Sequence, residues 1–158
     1  MVEDHPDTLA FLAYNLTSPY NSTFGNMRAG LYGLYWIPYS VHDGIYNASP
    51  TSTYEAKFLS RQLVTTDVTI DMEVFGGGSM WNVSATVCIE PDGVGKDLKI
   101  WMAQVVDNWG PSYLQRNTVR AGSDGVEITL AADECLIVTE TFELDSYSLA
   151  LPDNIKFF

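Results

Sequence analysis

Two cysteines, two histidines and a scatter of loop carboxylates are the residues through which this chain could do chemistry. Cys88 and Cys135 stand 47 positions apart, which rules out a Cys-x-x-Cys redox pair. Each sits in a stretch of alternating polarity. Asn82, Ser84 and Thr86 share a side with Cys88, while Trp81, Val83, Ala85, Val87 and Ile89 take the other; Cys135 is in phase with Thr139 and Thr141. Both sulfurs are therefore expected on the more polar face, joined as a disulfide between strands and not as a core bridge. Such a closure is worth ~3–4 kcal/mol on the chain-entropy account. Two separate buried thiols are the alternative, and secretion favours the bridge. His5 and His42 have no Cys or His at ligand spacing, so no zinc site is expected. His42-Asp43 reads as a surface histidine and a turn aspartate. No Gly-x-Ser-x-Gly occurs, and Gly76-Gly77-Gly78-Ser79 lacks the lysine of a phosphate loop, which leaves it as a hairpin tip. Asp92, Asp97, Asp107 and Asp124 fall in or near loops and are candidate calcium ligands, but their spacing is not that of an EF-hand, and solvated surface acids are the preferred reading. No catalytic residue, metal site or cofactor is assigned; whether the chain is an enzyme stays open, with a non-catalytic role preferred.

The elements that must hold these residues are short, because Gly and Pro punctuate the whole chain. Thr8 to Leu16 is a mostly apolar run, expected as a central strand covered on both faces. Ser22 or Thr23 can cap a helix to Leu31, with Phe24, Met27, Arg28 and Leu31 at helical spacing and Gly30 and Gly33 ending it. Pro38 opens a strand over Tyr39 to His42, which Asp43-Gly44 turns. A second helix is expected over Tyr54 to Leu63, with Tyr54, Phe58, Leu59 and Leu63 on one face. The texture then changes. Val68 to Val74 alternates, the glycine-rich tip turns, and Trp81 to Ile89 alternates again, the pattern of an antiparallel hairpin with one wet face. Leu98 to Val106, Val126 to Leu130 and Cys135 to Leu144 supply further strands, and Ile155 to Phe158 a last one. The expected fold class is α+β: an α/β unit over residues 1–65, then an antiparallel β-sandwich of the Ig or fibronectin-III kind over 66–158.

The chain carries 20 acidic against 8 basic residues, a net charge of −12. A field of that sign repels phosphate backbones, so nucleic acid is not an expected partner. No apolar run reaches the ~20 residues of a membrane-spanning helix, and membrane insertion is not expected. Met1-Val2-Glu3-Asp4-His5 is acidic where a secretory leader is basic. Asn-x-Ser/Thr sites at Asn15, Asn21, Asn47 and Asn82 nevertheless argue for export and are candidates for N-glycosylation, with Pro50 weakening Asn47. The expected location is extracellular or in the cell envelope.

The order central strand, helix, Ile37-Pro38, strand, Asp43-Gly44, helix resembles the C-terminal half of a thioredoxin-like domain. The strands that follow, with Ile100-Trp101-Met102-Ala103-Gln104-Val105-Val106-Asp107-Asn108 and Asn117-Thr118-Val119-Arg120, resemble the sandwich of secreted bacterial proteins related to outer membrane protein 28. The resemblance implies a cis bond at Ile37-Pro38, where such folds keep a proline beside the dithiol. A trans proline opening an edge strand is the alternative. It also implies that the half bearing Cys-x-x-Cys would precede Glu3, so residues 1–65 are an incomplete thioredoxin-like unit. Such a unit is expected to fold only with a partner chain, an upstream segment or tight docking on the sandwich.

Absent chemistry points to a non-catalytic binding or structural protein of the cell surface. A filament or adhesin subunit assembled by strand exchange fits, with a protein partner or further copies of itself bound and Ile155–Phe158 as the exchanging segment. The alternative is a fragment of a thiol–disulfide oxidoreductase whose Cys-x-x-Cys lies upstream or on a partner chain. Tyr35, Trp36, Trp109 and Tyr113 are loop aromatics that suit either a binding face or packing between the two halves.

Overall fold

The hydrophobic periods of the sequence reappear as elements with small shifts at their ends. In the computed structural model, which describes residues 12–14, 21–34, 40–42, 46–48, 53–108 and 117–158, the order is α1 (Thr23–Leu31), β1 (Ser40–His42), β2 (Tyr46–Ala48), α2 (Tyr54–Gln62), β3 (Val68–Gly77), β4 (Met80–Ile89), β5 (Lys96–Ile100), β6 (Ala103–Val106), β7 (Thr118–Gly122), β8 (Val126–Leu130), β9 (Cys135–Glu143), α3 (Ser146–Leu149), a 3-10 turn (Pro152–Asn154) and β10 (Ile155–Phe157). The chain is α+β, with mostly antiparallel sheets and few helices.

Strict alternation builds the first sheet, β3-β4-β9. Ten residues of β3 pair with β4 without a break, from Val68 opposite Ile89 to Gly77 opposite Met80. Gly78 closes this hairpin at φ 59°, in a two-residue Gly-Ser turn that suits the twist of paired strands. On β4 the odd-numbered residues Val83, Ala85, Val87 and Ile89 are buried, and Val138 and Phe142 of β9 join them.

The second layer is a long bent hairpin with one strand added. β5 pairs with β8, β6 pairs with β7, and β10 lies along the other side of β6. Leu98 to Val106, expected as one strand, is thus two. The ladder breaks at Met102, whose N–H donates to Ser123 Oγ and whose carbonyl accepts from Ser123 N–H, both at 2.9 Å. Gly125 sits beside this bend at φ 84°, and a Cβ there would lie 2.9 Å from the Trp101 ring. A register shift between Gln104 and Val105 leaves Arg120 of β7 bulged out of the pairing. Met102, Ile128 and Leu130 face the first sheet and complete the main core.

The opposite face of β6 and β7 is covered by α1. Ser22 caps this helix by accepting from the Gly25 N–H at 3.0 Å. Phe24 packs with Ala103, Val105 and Val119, and with Leu12, Tyr14 and Trp101 around them. A Cβ on Gly122 would stand 2.4 Å from the Phe24 ring, so glycine is what lets the helix approach. Ala13 adds one parallel bridge to β7, donating to Asn117 O and accepting from Val119 N–H, both at 3.0 Å. The described part of the expected Thr8–Leu16 strand therefore lies beside β7, outside the β1–β2 sheet. That pair is antiparallel, and α2 contacts both of its strands.

Ile155–Phe158, expected as a segment free for exchange, is paired within its own chain. Ile155 to Phe157 run against Val106 to Gln104, and Phe158 and Ala103 exchange N–H to carbonyl bonds at 2.9 and 2.7 Å. Its aromatic rings explain the placement, since Phe157 stacks near Phe142 and Trp81 at the edge of the core.

Candidate functional site

The expected disulfide is present and ties β4 to β9. Cys88 and Cys135 are direct cross-strand partners with Cα atoms 4.1 Å apart. Ile89 N–H donates to Glu134 O in the neighbouring pair, so the cysteines occupy the close, non-hydrogen-bonded position where side chains meet. They lie on the face away from the core, Cys88 half-buried and Cys135 exposed. Two further ties run along that face: Ser84 with Thr139 at 3.1 Å, and Thr141 Oγ1 donating to Asn82 Oδ1 at 2.8 Å.

The strand on the other side of β4 has none of these fastenings on its outer edge. Glu90 N–H donates to Asp67 O at 2.9 Å, which sets the phase of the β3–β4 ladder. By antiparallel geometry, Thr69, Asp71, Glu73 and Phe75 spend their backbone groups on β4. Ile70, Met72 and Val74 point theirs away from it, and no strand pairs with them among the described residues. Their side chains lie on the core-side face, level with Val87, Ala85 and Val83. Yet they are 58%, 39% and 40% exposed, where those three β4 neighbours are at most 3% exposed. Among the described residues, backbone bonding capacity and apolar surface are thus open at the same three positions. Edge strands are commonly blunted by lysine, proline, a bulge or an inward charge. β3 has no Lys or Pro, its register is unbroken, and its two acids, Asp71 and Glu73, are on the outer face.

One end of β3 is anchored. Asp67 bonds Lys96 Nζ and accepts from the Val94 N–H at 2.8 Å, and these two bonds hold its carboxyl down at about 2. Val68 accordingly packs against the core, and exposure begins beyond it.

A second feature gathers at the Arg120 bulge. The guanidinium, itself buried, donates from Nε to Asp145 at 3.0 Å and from Nη1 to Asn21 O at 3.1 Å. Asp145 also caps α3 through the Ser148 N–H at 2.7 Å. Burial works against charge on Asp145, but the Ser148 N–H and Arg120 outweigh it and hold the carboxyl below its ordinary value. An open groove of about 590 Å³ runs past Arg120 and the start of α1, lined by Asn21, Thr23, Asn26 and Asp124 among others. Arg120 is engaged in joining β7, α1 and α3, and this is a structural hub.

The remaining expected residues are dispersed. Asp97 accepts from Thr129 Oγ1 at 2.6 Å, Asp107 is buried against Lys156 at 2.7 Å, and Asp92 and Asp124 are exposed. No group of three or more metal-ligating side chains forms among the described residues, so the calcium candidates do not converge. Of the glycosylation candidates, Asn21 is half-buried with its carbonyl on Arg120, and Asn82 is half-buried on the outer face of β4. Asn47 lies in β2. Asn15, Ile37, Pro38, His5, Tyr35, Trp36, Trp109 and Tyr113 lie outside the described residues. No described helix is long and apolar enough to cross a membrane. Sequence reasoning missed the open face of β3 and the Arg120 hub. The first had a signal in the lack of lysine or proline on a strand beside a free turn; the second had none, because alternation runs through the bulge undisturbed.

No family model, no curated protein and no solved structure matches the chain.

Proposed function

We propose that this chain is a non-catalytic binding protein that engages another protein by strand addition at the free edge of β3. The observation that carries this reading is the coincidence at Ile70, Met72 and Val74 of unpaired backbone groups with exposed apolar side chains. In strand addition, main-chain bonds supply affinity and alternate side chains supply specificity, and both are on offer here. Ile155–Phe157 already pairs with β6 in its own chain, so the strand addition proposed here is placed at β3 and not on exchange of that segment. Export belongs to the proposal: a disulfide such as Cys88–Cys135 fits an extracellular or envelope compartment.

The finer architecture is also part of the proposal. An antiparallel β1–β2 pair followed by α2 supports a partial thioredoxin-like unit, and two packed antiparallel layers support an Ig- or fibronectin-III-like sandwich. The bridge from Ala13 to β7 weighs against the first. For the redox alternative, the joined cysteines offer nothing, because they fasten two neighbouring strands far apart in sequence.

The test is a peptide display library selected on the full chain and counter-screened on Met72→Pro. The Met72 N–H points away from β4, so proline there removes a docking bond and no bond of the β3–β4 ladder. Selected peptides are expected to lose binding to the variant. Peptides that bind both proteins equally would contradict strand addition.

A further inference from the structure

We propose that the partner taken up at β3 is an extended segment alternating apolar and basic residues, and not a second copy of this chain. The inference rests on the strand-addition reading above and adds the chemistry of the occupant. An added strand bonds to the backbone of Ile70, Met72 and Val74. Its residues level with those three then share the core-side face, and its residues level with Asp71 and Glu73 share the outer face. On the core-side face the neighbours are three exposed apolar side chains, which reward apolar residues beside them. On the outer face the neighbours are two exposed carboxylates whose β4 partners are Thr86 and Ser84. Neither acid has a cation beside it among the described residues, so lysine or arginine at the alternate positions completes two cross-strand pairs.

A second copy fails the same test. The open residues of β3 are even-numbered, so an antiparallel copy must set even against even. The registers that keep the exposed stretch paired centre on position 71, 72 or 73. They place Asp71 opposite Asp71, Asp71 opposite Glu73, or Glu73 opposite Glu73. Like charges directly opposite destabilise a ladder. Each copy also carries a net charge of −12, which repels the other before contact. The same field draws in a basic segment.

Short acetylated and amidated peptides test this on the full chain, by fluorescence anisotropy at about 0.1 M salt. One alternates Val and Lys, one alternates Val and Glu, and one has the composition of the first with its lysines in a block. The alternating Val/Lys peptide is expected to bind, and the Val/Glu peptide about tenfold or more weaker. Met72→Pro abolishes binding. Asp71→Asn with Glu73→Gln, surface changes that leave the ladder intact, weakens Val/Lys binding about three- to tenfold. Equal binding of the block peptide, or Val/Lys binding that the Asn/Gln variant leaves unchanged, would overturn the inference. A dimer in sedimentation that Met72→Pro dissolves, or preferred binding of Val/Glu, would overturn the basic partner while leaving strand addition standing. If nothing binds in a way that depends on Met72, both readings fall.

Discussion

β3 and β4 are neighbours in one sheet, alternate in the same phase and carry similar apolar residues on the same face, but one face is buried and the other is open. On β4, Val83, Ala85, Val87 and Ile89 meet Met102, Ile128 and Leu130 of the second layer. On β3, only Val68 reaches that core, and Ile70, Met72 and Val74 extend past it. Alternation specifies which side of a strand is apolar. What lies over that side is decided by how far the opposing layer extends, which is a tertiary property. An apolar side left open on an unpaired edge either causes aggregation or recognises something.

The sharpest way to break this comparison is to truncate one residue from each strand on the shared face. Ile89→Ala is expected to cost about 3–4 kcal/mol in urea unfolding, because it opens a cavity in a closed core. Met72→Ala on the isolated chain should cost under about 0.5 kcal/mol, as surface changes do. Equal losses would mean that β3 is covered.

A smaller effect marks where β3 leaves the core. The Lys96 and Val94 bonds hold the Asp67 carboxyl at about 2, below an ordinary value near 3.8. A carboxyl depressed in the folded state stabilises above its unfolded pKa, and that contribution fades as pH falls towards the folded value. Asp67→Asn should therefore unfold at lower urea than the parent at neutral pH. The gap should narrow below about pH 4 and close near pH 2. A gap independent of pH would assign the loss to packing and not to this charged anchor.

Much of the architecture was legible in sequence. Strict alternation gave Val68–Val74 and Trp81–Ile89 as a hairpin, and the phase of Cys88 with Ser84 and Thr86 placed the disulfide on the outer face, where it is. Ser22 or Thr23 marked the start of α1 through capping chemistry, which is local, and Ser22 is the cap. α3, capped locally by Asp145, went unread, and three further misses are nonlocal. The break at Met102 depends on Ser123, twenty-one residues later in the chain. The bulge at Arg120 depends on Asp145 and Asn21, which offer its guanidinium acceptors from two other elements. The capture of Ile155–Phe157 by β6 depends on rings at Trp81 and Phe142. The candidate site was legible only in half: the apolar side of β3 could be read, but its exposure could not.

Residue-resolved hydrogen exchange on the intact chain tests the central claim most directly. With β3 bonded on one side only among the described residues, the amides of Thr69, Asp71, Glu73 and Phe75 should be protected, and those of Ile70, Met72 and Val74 should exchange close to the rate of free chain. Even protection along Val68–Val74 would show that the edge is already paired, and would contradict the account.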